Sequence, residues 1–458
     1  MLDVQHQASL PKIQLAVLWA MFFMFVNLSN ESIIQLLTPT IAEEFEMTKA
    51  KASLIVTVAG ILSGVGGTIY ATLTDFFSMR QLHLFGVAAF SAGSVLAFAV
   101  QDSFPALVAA RMLQCAGAVC AQGCFVVLVT RYMNARDRSR YLAFSSALFM
   151  FGSGLGAFLG AVISSAMNWS YALLFPVATL LAVPSFWKHL PRERRSGARL
   201  DWVGALLVTV GVSAAILSIS LRNVYGLAVT VLMVGLYLAH ERGRRHPFLD
   251  LSLLRIRGFK PALLCAMIIL GTQSGVLFLL PFIARDVYGL SLFETGLLFM
   301  SAYLPALATG IVSGRTLNRL GQYRTFTLGW TLLFASLIAL VLTMGAPLIL
   351  TGLALYLFAI SNPFLYTGIV AALTGRLPPD KLGSGMGVFQ LMAGGGNALV
   401  VSVVGILLTY RLFDSASLRI GNGMPINEYG QLLLLLSAFS LIGWLLFSRV
   451  FGRTIKNG

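Results

Sequence analysis

Residues 15–37 read LAVLWAMFFMFVNLSNESIIQLL, an apolar segment that contains one carboxylate. About 20 mainly apolar residues suffice for a helix that spans a bilayer. Asn27, Glu31 and Gln35 recur every four residues, so a helix places them on one face, with Asn30 beside them. Ionisable groups inside a membrane are costly and mostly mark transport pathways. The segment therefore predicts a membrane helix with a proton- or substrate-handling acid; a structural polar group is the alternative.

The composition of the whole chain predicts an all-α polytopic membrane protein. Of its 458 residues, 57% are hydrophobic and 11% are charged, and the mean hydropathy is +0.84. Soluble domains carry about 25% charged residues. We predict fourteen spans, at 15–37, 52–74, 82–101, 105–129, 141–166, 171–187, 201–220, 224–240, 262–284, 294–313, 325–344, 347–373, 383–409 and 431–449.

The distribution of basic residues predicts the topology. The net charge is +15, and with a cytoplasmic N-terminus 25 of the 32 lysines and arginines fall in cytoplasmic segments, against 6 in outer segments. This bias follows the positive-inside rule. We therefore expect a monomer in the cytoplasmic membrane, with both termini in the cytoplasm. The basic charge is assigned to topology and anionic lipid, so no nucleic-acid partner is expected.

The chain repeats itself with an offset near 244 residues. Asp75 follows span 2 as Asn318 follows span 10, and Arg131 precedes span 5 as Arg376 precedes span 13. Two related halves around a site at the membrane midplane are typical of secondary transporters. We predict two six-helix halves and a two-helix insert, at 1–190, 261–458 and 191–260 respectively.

Two loop motifs at the predicted cytoplasmic face are candidates for a gate. Asp75 and Arg80 lie in the loop after span 2, and Asn318 and Arg319 lie at the corresponding place in the second half. Ion pairs in such a loop can hold one of two conformations. A solvated pair without such a role is the alternative.

Span 5 carries four glycines within nine residues. Gly152, Gly154, Gly156 and Gly160 leave a smooth helix surface against which a neighbouring helix can pack closely. We expect this surface to serve both packing and sliding between helices.

Span 4 contains a positive charge at a depth similar to that of Glu31. Counted along the helices, Glu31 lies about 7 Å outward of the middle of span 1, and Arg111 about 9 Å outward of the middle of span 4. Each charge alone would be costly. We predict that Glu31 and Arg111 share a water-accessible cavity and couple proton binding to transport; snorkelling of Arg111 toward the headgroups is the alternative.

Several amides lie deep in predicted spans. Such groups can hydrogen-bond a substrate in a central cavity, and as contacts between helices they would look the same in the sequence. The candidate substrate-binding residues are Asn27, Gln35, Gln114, Gln273, Asn362, Gln390 and Asn397.

The sequence contains no constellation typical of an enzyme. P-loop, Gly-x-Ser-x-Gly and His-Glu-x-x-His patterns are missing, and the histidines are scattered near loops. Cys115, Cys120, Cys124 and Cys265 show no metal-ligand spacing, so we interpret them as small packing residues. We expect no metal and no cofactor, and a proton gradient as the energy source.

Three segments resemble motifs of the major facilitator superfamily: residues 71–80 (ATLTDFFSMR), 107–118 (LVAARMLQCAGA) and 152–160 (GSGLGAFLG). The chain is most similar to the 14-span drug:proton antiporters, in particular the tetracycline exporters of Gram-positive bacteria. The resemblance implies export of small molecules in exchange for protons by alternating access, with Glu31 at the position of a functional acid.

Three departures from those exporters concern the substrate. Ser153, Asn318 and Asn397 stand where the tetracycline exporters carry acids. Fewer acids near the path should weaken the handling of a cationic metal chelate. Tetracycline and other amphipathic drugs therefore both remain candidates. The alternatives are a metabolite or siderophore exporter on the same fold, and a membrane scaffold or sensor without transport.

Overall fold

The computed structural model describes residues 2–74, 76–192, 201–221, 223–241, 248–249, 251–378, 381–410, 419–420, 424–425 and 427–452. These residues are almost entirely helical, which confirms the predicted all-α class. The α-helices are α1 (Leu2–Glu44), α2 (Lys49–Ala52), α3 (Leu54–Leu73), α4 (Met79–Ala99), α5 (Phe104–Tyr132), α6 (Ala135–Ala166), α7 (Val183–His189), α8 (Trp202–Leu221), α9 (Val224–Glu241), α10 (Phe259–Asp286), α11 (Leu292–Leu342), α12 (Leu348–Thr374), α13 (Leu382–Tyr410) and α14 (Glu428–Phe451).

Three shorter features complete the described fold. A 3-10 helix, Trp169–Ala182, contains Pro176 and leads directly into α7. A second 3-10 helix is Leu251–Arg255. Strands β1 (Arg419–Ile420) and β2 (Met424–Pro425) form an antiparallel ladder in the loop before α14.

The helices are long and apolar enough for a multi-pass membrane protein. Among the described residues, thirteen segments can cross a membrane by length and composition. The remaining predicted span corresponds to α8, whose apolar section Trp202–Ser218 is shorter. Helix α9 packs on α8 at the outside of the bundle, and most of its side chains are exposed, as expected of a helix that faces lipid.

Helices from the two predicted halves pack against each other along two seams. Helix α3 packs on α13, and α6 packs on the first part of α11. Glycines permit the first contact, because a Cβ on Gly394 would lie 2.6 Å from the Cα of Gly64. Helix α8 of the insert contacts both α3 and α13, and Ile216 packs with Ile61 and Ala398.

Helix α11 differs from the sequence prediction. We predicted spans at 294–313 and 325–344 with a loop between them, whereas the chain stays helical through this region except at Gly321. Gly321 has φ 75° and ψ 170°, a conformation that is essentially restricted to glycine. One glycine therefore makes the turn for which we had predicted a loop.

The insert helices are tied together at one end by a buried carboxylate. Asp201 is 4% exposed and accepts hydrogen bonds from Gly204 N (3.0 Å) and Phe248 N (3.3 Å). His240 Nε2 of α9 lies 2.8 Å from Asp201 Oδ1, the oxygen that also accepts from Gly204 N. Asp201 therefore caps α8 and connects it to α9.

The bundle has two ends, which we name by a residue at each. The Lys49 end contains the connections 45–48, 287–291 and 343–347. The Arg80 end contains 76–78, 133–134 and the turn at Gly321.

Candidate functional site

Glu31 and Arg111 form an ion pair within the N-terminal helices. Arg111 Nη2 of α5 donates to Glu31 Oε1 of α1 at 3.0 Å. The Arg111 side chain is 1% exposed, whereas that of Glu31 is 29% exposed. Arg111 therefore does not reach out to the bundle surface as snorkelling would require. The pair joins a buried cation to a partly exposed carboxylate.

Gln114 connects the ion pair to α4. Its Oε1 accepts hydrogen bonds from Arg111 Nη1 and, at 3.4 Å, from Asn30 Nδ2. Its Nε2 donates to Ser94 Oγ at 2.7 Å. The close approach of the helices depends on Gly93, since a Cβ there would overlap the Gln114 backbone. The candidate substrate ligand Gln114 thus also positions the guanidinium of Arg111.

Helix α1 extends past the predicted end of span 1. We predicted a span at 15–37, whereas α1 runs without a break to Glu44. Glu31 therefore lies 13 residues, about 20 Å, before the end of its helix.

The four glycines of α6 face two different neighbours. Gly152, Gly156 and Gly160 face α1, where a Cβ on Gly156 would overlap the Ser29 backbone. Ser29 Oγ also donates to Gly152 O at 3.0 Å. Gly154 instead faces α11, where its Cβ would lie 2.6 Å from the Cβ of Tyr303. The motif therefore lets α6 pack closely on the helix of Glu31 and on the other half.

Two of the other candidate ligands are buried amides with unsatisfied atoms. Asn27 is 6% exposed and Gln273 is 4% exposed. Asn27 Oδ1 and Gln273 Nε2 have no hydrogen-bond partner within the described part of the chain. Such groups are costly when buried, so a ligand that pairs with them would be stabilised. Gln35 and Asn362 are half-buried, on α1 and α12.

Two candidate ligands on α13 lie at helix contacts. Gln390 lies beside Gly67 of α3, on the seam between the halves. With its amide nitrogen turned toward α10, Asn397 donates to Leu270 O at 3.0 Å and Ser274 Oγ at 3.1 Å. This geometry is that of a contact that holds two helices together.

The candidate gate residues do not form one cluster among the residues described. Asp75 lies outside the described residues. Arg80 Nε donates to Leu190 O at 3.2 Å, and its guanidinium lies 5.7 Å from the ring centroid of Trp187. Asn318 and Arg319 are exposed on α11 near Gly321. The gating role of these residues stays a prediction.

A polar cluster at the Lys49 end, which sequence reasoning missed, joins the two predicted halves. Lys49 Nζ lies 2.9 Å from Asp286 Oδ2 and 3.9 Å from Glu428 Oε1. Tyr429 OH contacts both Lys49 and Asp286. Nearby, Arg285 pairs with Glu43, Ala50 N donates to Thr409 Oγ1, and Thr57 contacts Ser402. These contacts join helices of the first predicted half to helices of the second at the Lys49 end.

Comparison with known proteins identifies the family. The family model described as Major Facilitator Superfamily matches residues 20–401. The chain belongs to the major facilitator superfamily. As a superfamily member it is a multi-pass membrane transporter of small molecules and not an enzyme.

Relatives and solved structures of the superfamily differ in their substrates. The chain is 22% identical over 370 residues to the riboflavin transporter RibZ of Clostridioides difficile, covering 79% of this chain and 80% of that protein. It is 24% identical over 363 residues to the efflux pump apf11 of Gibberella fujikuroi, covering 71% of this chain and 63% of that protein. The xylose transporter XylE from E. coli matches 96% of this chain and 98% of that chain, with 13% identity and a TM-score of 0.66, which shows the shared fold.

Proposed function

We propose that this chain is a proton-coupled antiporter that exports amphipathic drug-like molecules across the cytoplasmic membrane. The observation that carries the proposal is the Glu31–Arg111 pair, in which the carboxylate is partly exposed and the guanidinium is buried. Tetracycline belongs among the candidate substrates, because the sequence resembles that of the tetracycline exporters. An efflux pump among the relatives supports the direction of transport.

The ion pair suggests how a proton could change the conformation. An arginine stays charged in proteins, so protonation of Glu31 removes the counter-charge but leaves the cation in place. Arg111 then has Gln114 as an acceptor, and a buried cation without its carboxylate is strongly destabilised. The protonated protein would therefore favour a conformation that gives Arg111 water or another acceptor. In this way protonation shifts the balance between two states of the transporter.

The proposal also assigns the two ends of the bundle. With both termini in the cytoplasm, the Lys49 end faces outward and is closed in this conformation. Substrate would then enter between the halves from the Arg80 end. Asn27 and Gln273, whose amide atoms are unsatisfied, are the polar groups that we propose to bind it.

The test uses inverted membrane vesicles with an imposed proton gradient. We would compare the wild type, Glu31→Gln and the control Glu44→Gln, which changes an exposed glutamate of the same helix. The panel contains tetracycline, chloramphenicol, ethidium and riboflavin. We expect a compound to dissipate the gradient with the wild type and Glu44→Gln, but not with Glu31→Gln. If Glu31→Gln retains the wild-type signal, Glu31 is not the coupling acid.

A metabolite exporter is the second candidate, and the relationship to a riboflavin transporter favours including it. A wild-type signal with riboflavin and with none of the drugs would support this candidate over drug export. The Glu31→Gln variant then decides whether the same carboxylate couples that transport to protons.

A further inference from the structure

One histidine and two cysteines lie close together between α4 and α5. His83 is on the first turns of α4, and Cys120 and Cys124 are one turn apart on α5. One donor atom from each of the three residues lies within 4.8 Å of the others, and all three side chains are fully buried. Cys120 is about 13 Å along α5 from Arg111, so the cluster is separate from the ion pair.

The hydrogen bonding of His83 leaves one ring nitrogen free to bind a ligand. Its Nδ1 lies 2.8 Å from the Met79 carbonyl oxygen, which can only accept, so Nδ1 carries the hydrogen. Its Nε2 is buried and has no hydrogen-bond partner among the described residues. Histidines that bind metals usually donate their other N–H to a carbonyl or carboxylate in this way. Nε2 of His83 is therefore the nitrogen that is free to bind a metal ion.

The two thiols are spaced as a shared metal ion requires. Cys120 Sγ and Cys124 Sγ are 3.5 Å apart. Two Zn–S bonds of about 2.3 Å at a tetrahedral angle would place the sulfurs about 3.8 Å apart. Gly86 of α4 permits this approach, because a Cβ there would lie 2.6 Å from the Cβ of Cys120. The helices are therefore already at the distance that the site needs.

We propose that His83, Cys120 and Cys124 bind one thiophilic d10 cation, Zn²⁺ or Cu⁺, which clamps α4 to α5. Binding of Zn²⁺ displaces both thiol protons, and two thiolates with a neutral imidazole make a site without net charge. Binding of Cu⁺ displaces one thiol proton, and one thiolate with a neutral thiol and a neutral imidazole likewise leaves no net charge. Neutrality matters because a net charge buried in a membrane is costly. Zn²⁺ prefers four ligands, and the Leu82 carbonyl oxygen, which lies 3.2 Å from Cys120 Sγ, is the candidate for the fourth.

The test measures metal binding by full-length protein purified in detergent with an affinity tag that contains no histidine. After chelation, one sample is titrated with Zn²⁺ and another with Cu⁺ under reducing conditions, and bound metal is counted by mass spectrometry. The variants are Cys120→Ser/Cys124→Ser and the control Cys115→Ser/Cys265→Ser, which changes the other two buried cysteines. We expect about one ion per chain in the wild type and the control, and a loss of it in the Cys120/Cys124 variant.

A second readout keeps the proposal testable if the Cys120/Cys124 variant fails to fold. The same cation should raise the unfolding temperature of the chelated wild type in a saturable manner, because an ion that binds only the folded state stabilises it. His83→Gln should weaken this rise. Comparison of the Zn²⁺ and Cu⁺ titrations identifies which cation binds. If neither ion binds the wild type or raises its unfolding temperature, the cluster is packing only and the proposal is wrong.

Discussion

Replacing Lys49 by glutamine should open the Lys49 end of the transporter. The ammonium group is the centre of the contacts between the halves at this end: it binds Asp286 at 2.9 Å, contacts Tyr429 OH and lies 3.9 Å from Glu428. It also lies 4.9 Å and 5.2 Å from the ring centroids of Tyr429 and Phe282. An alternating-access transporter must break these contacts when this end opens. Lys49 therefore stabilises one of the two conformations.

The size of the effect follows from the exposure of the groups. The side chains of Lys49, Asp286 and Glu428 are 26%, 38% and 21% exposed, so solvent screens the pairs and each contributes about 0.2–1 kcal/mol. A partly exposed cation–π contact adds about 0.5–1 kcal/mol. Together they favour the closed end by about 1–3 kcal/mol. Lys49→Gln should therefore raise the ratio of open to closed molecules about 5- to 150-fold.

Distances between spin labels across the Lys49 end can measure this shift. Labels at Asp102 and Leu348 report on the two halves, and the native cysteines are buried, which favours selective labelling. We expect Lys49→Gln to increase the long-distance population. The matched control is Lys51→Gln, which removes the same charge from an exposed side chain of the same short helix. Identical distance distributions for both variants and the wild type would refute the role of Lys49.

Two glycine substitutions, each with a control, test helix packing and backbone conformation. The measurement is thermal unfolding of the purified protein. Gly156→Ala places a Cβ in the Ser29 backbone and should cost about 1–3 kcal/mol, whereas Gly395→Ala meets nothing within 4 Å and should have little effect. Gly321→Ala forces a side chain into a glycine conformation and should cost about 1–3 kcal/mol. Gly314→Ala in the same helix should be neutral or stabilising. If Gly156→Ala unfolded at the same temperature as Gly395→Ala, the packing argument would be wrong. If Gly321→Ala unfolded at the same temperature as Gly314→Ala, the conformational argument would be wrong.

Much of the fold could be predicted from the sequence because membrane helices leave a local signal. Each span buries its backbone hydrogen bonds within itself, so hydropathy and length locate it without knowledge of its neighbours. The all-helical class and the multi-pass arrangement are confirmed in this way. The local signal was weakest at turns, where Gly321 replaced the loop predicted in α11. A single glycine changes hydropathy little, although it redirects the whole helix.

The contacts of the candidate site could be predicted only in part. Glu31 and Arg111 stood out individually because charges in apolar segments are rare, and this led us to expect that they act together. The sequence did not indicate that Gln114 would join them, or that Asn397 would lie against α10. Amides between helices and amides in a cavity have the same sequence pattern.

The sequence by itself determined that this chain is a membrane protein, where its helices run and which of them carry charge, because these properties depend on neighbouring residues along the chain. Only the tertiary structure decided which side chains meet. Lys49 and Asp286 are separated by 237 positions, yet they close one end of the bundle together. His83 and Cys120 likewise come from different helices to form the proposed metal site. Such contacts depend on how the helices pack against each other. No sequence pattern links the positions that helix packing brings together, because they lie far apart along the chain.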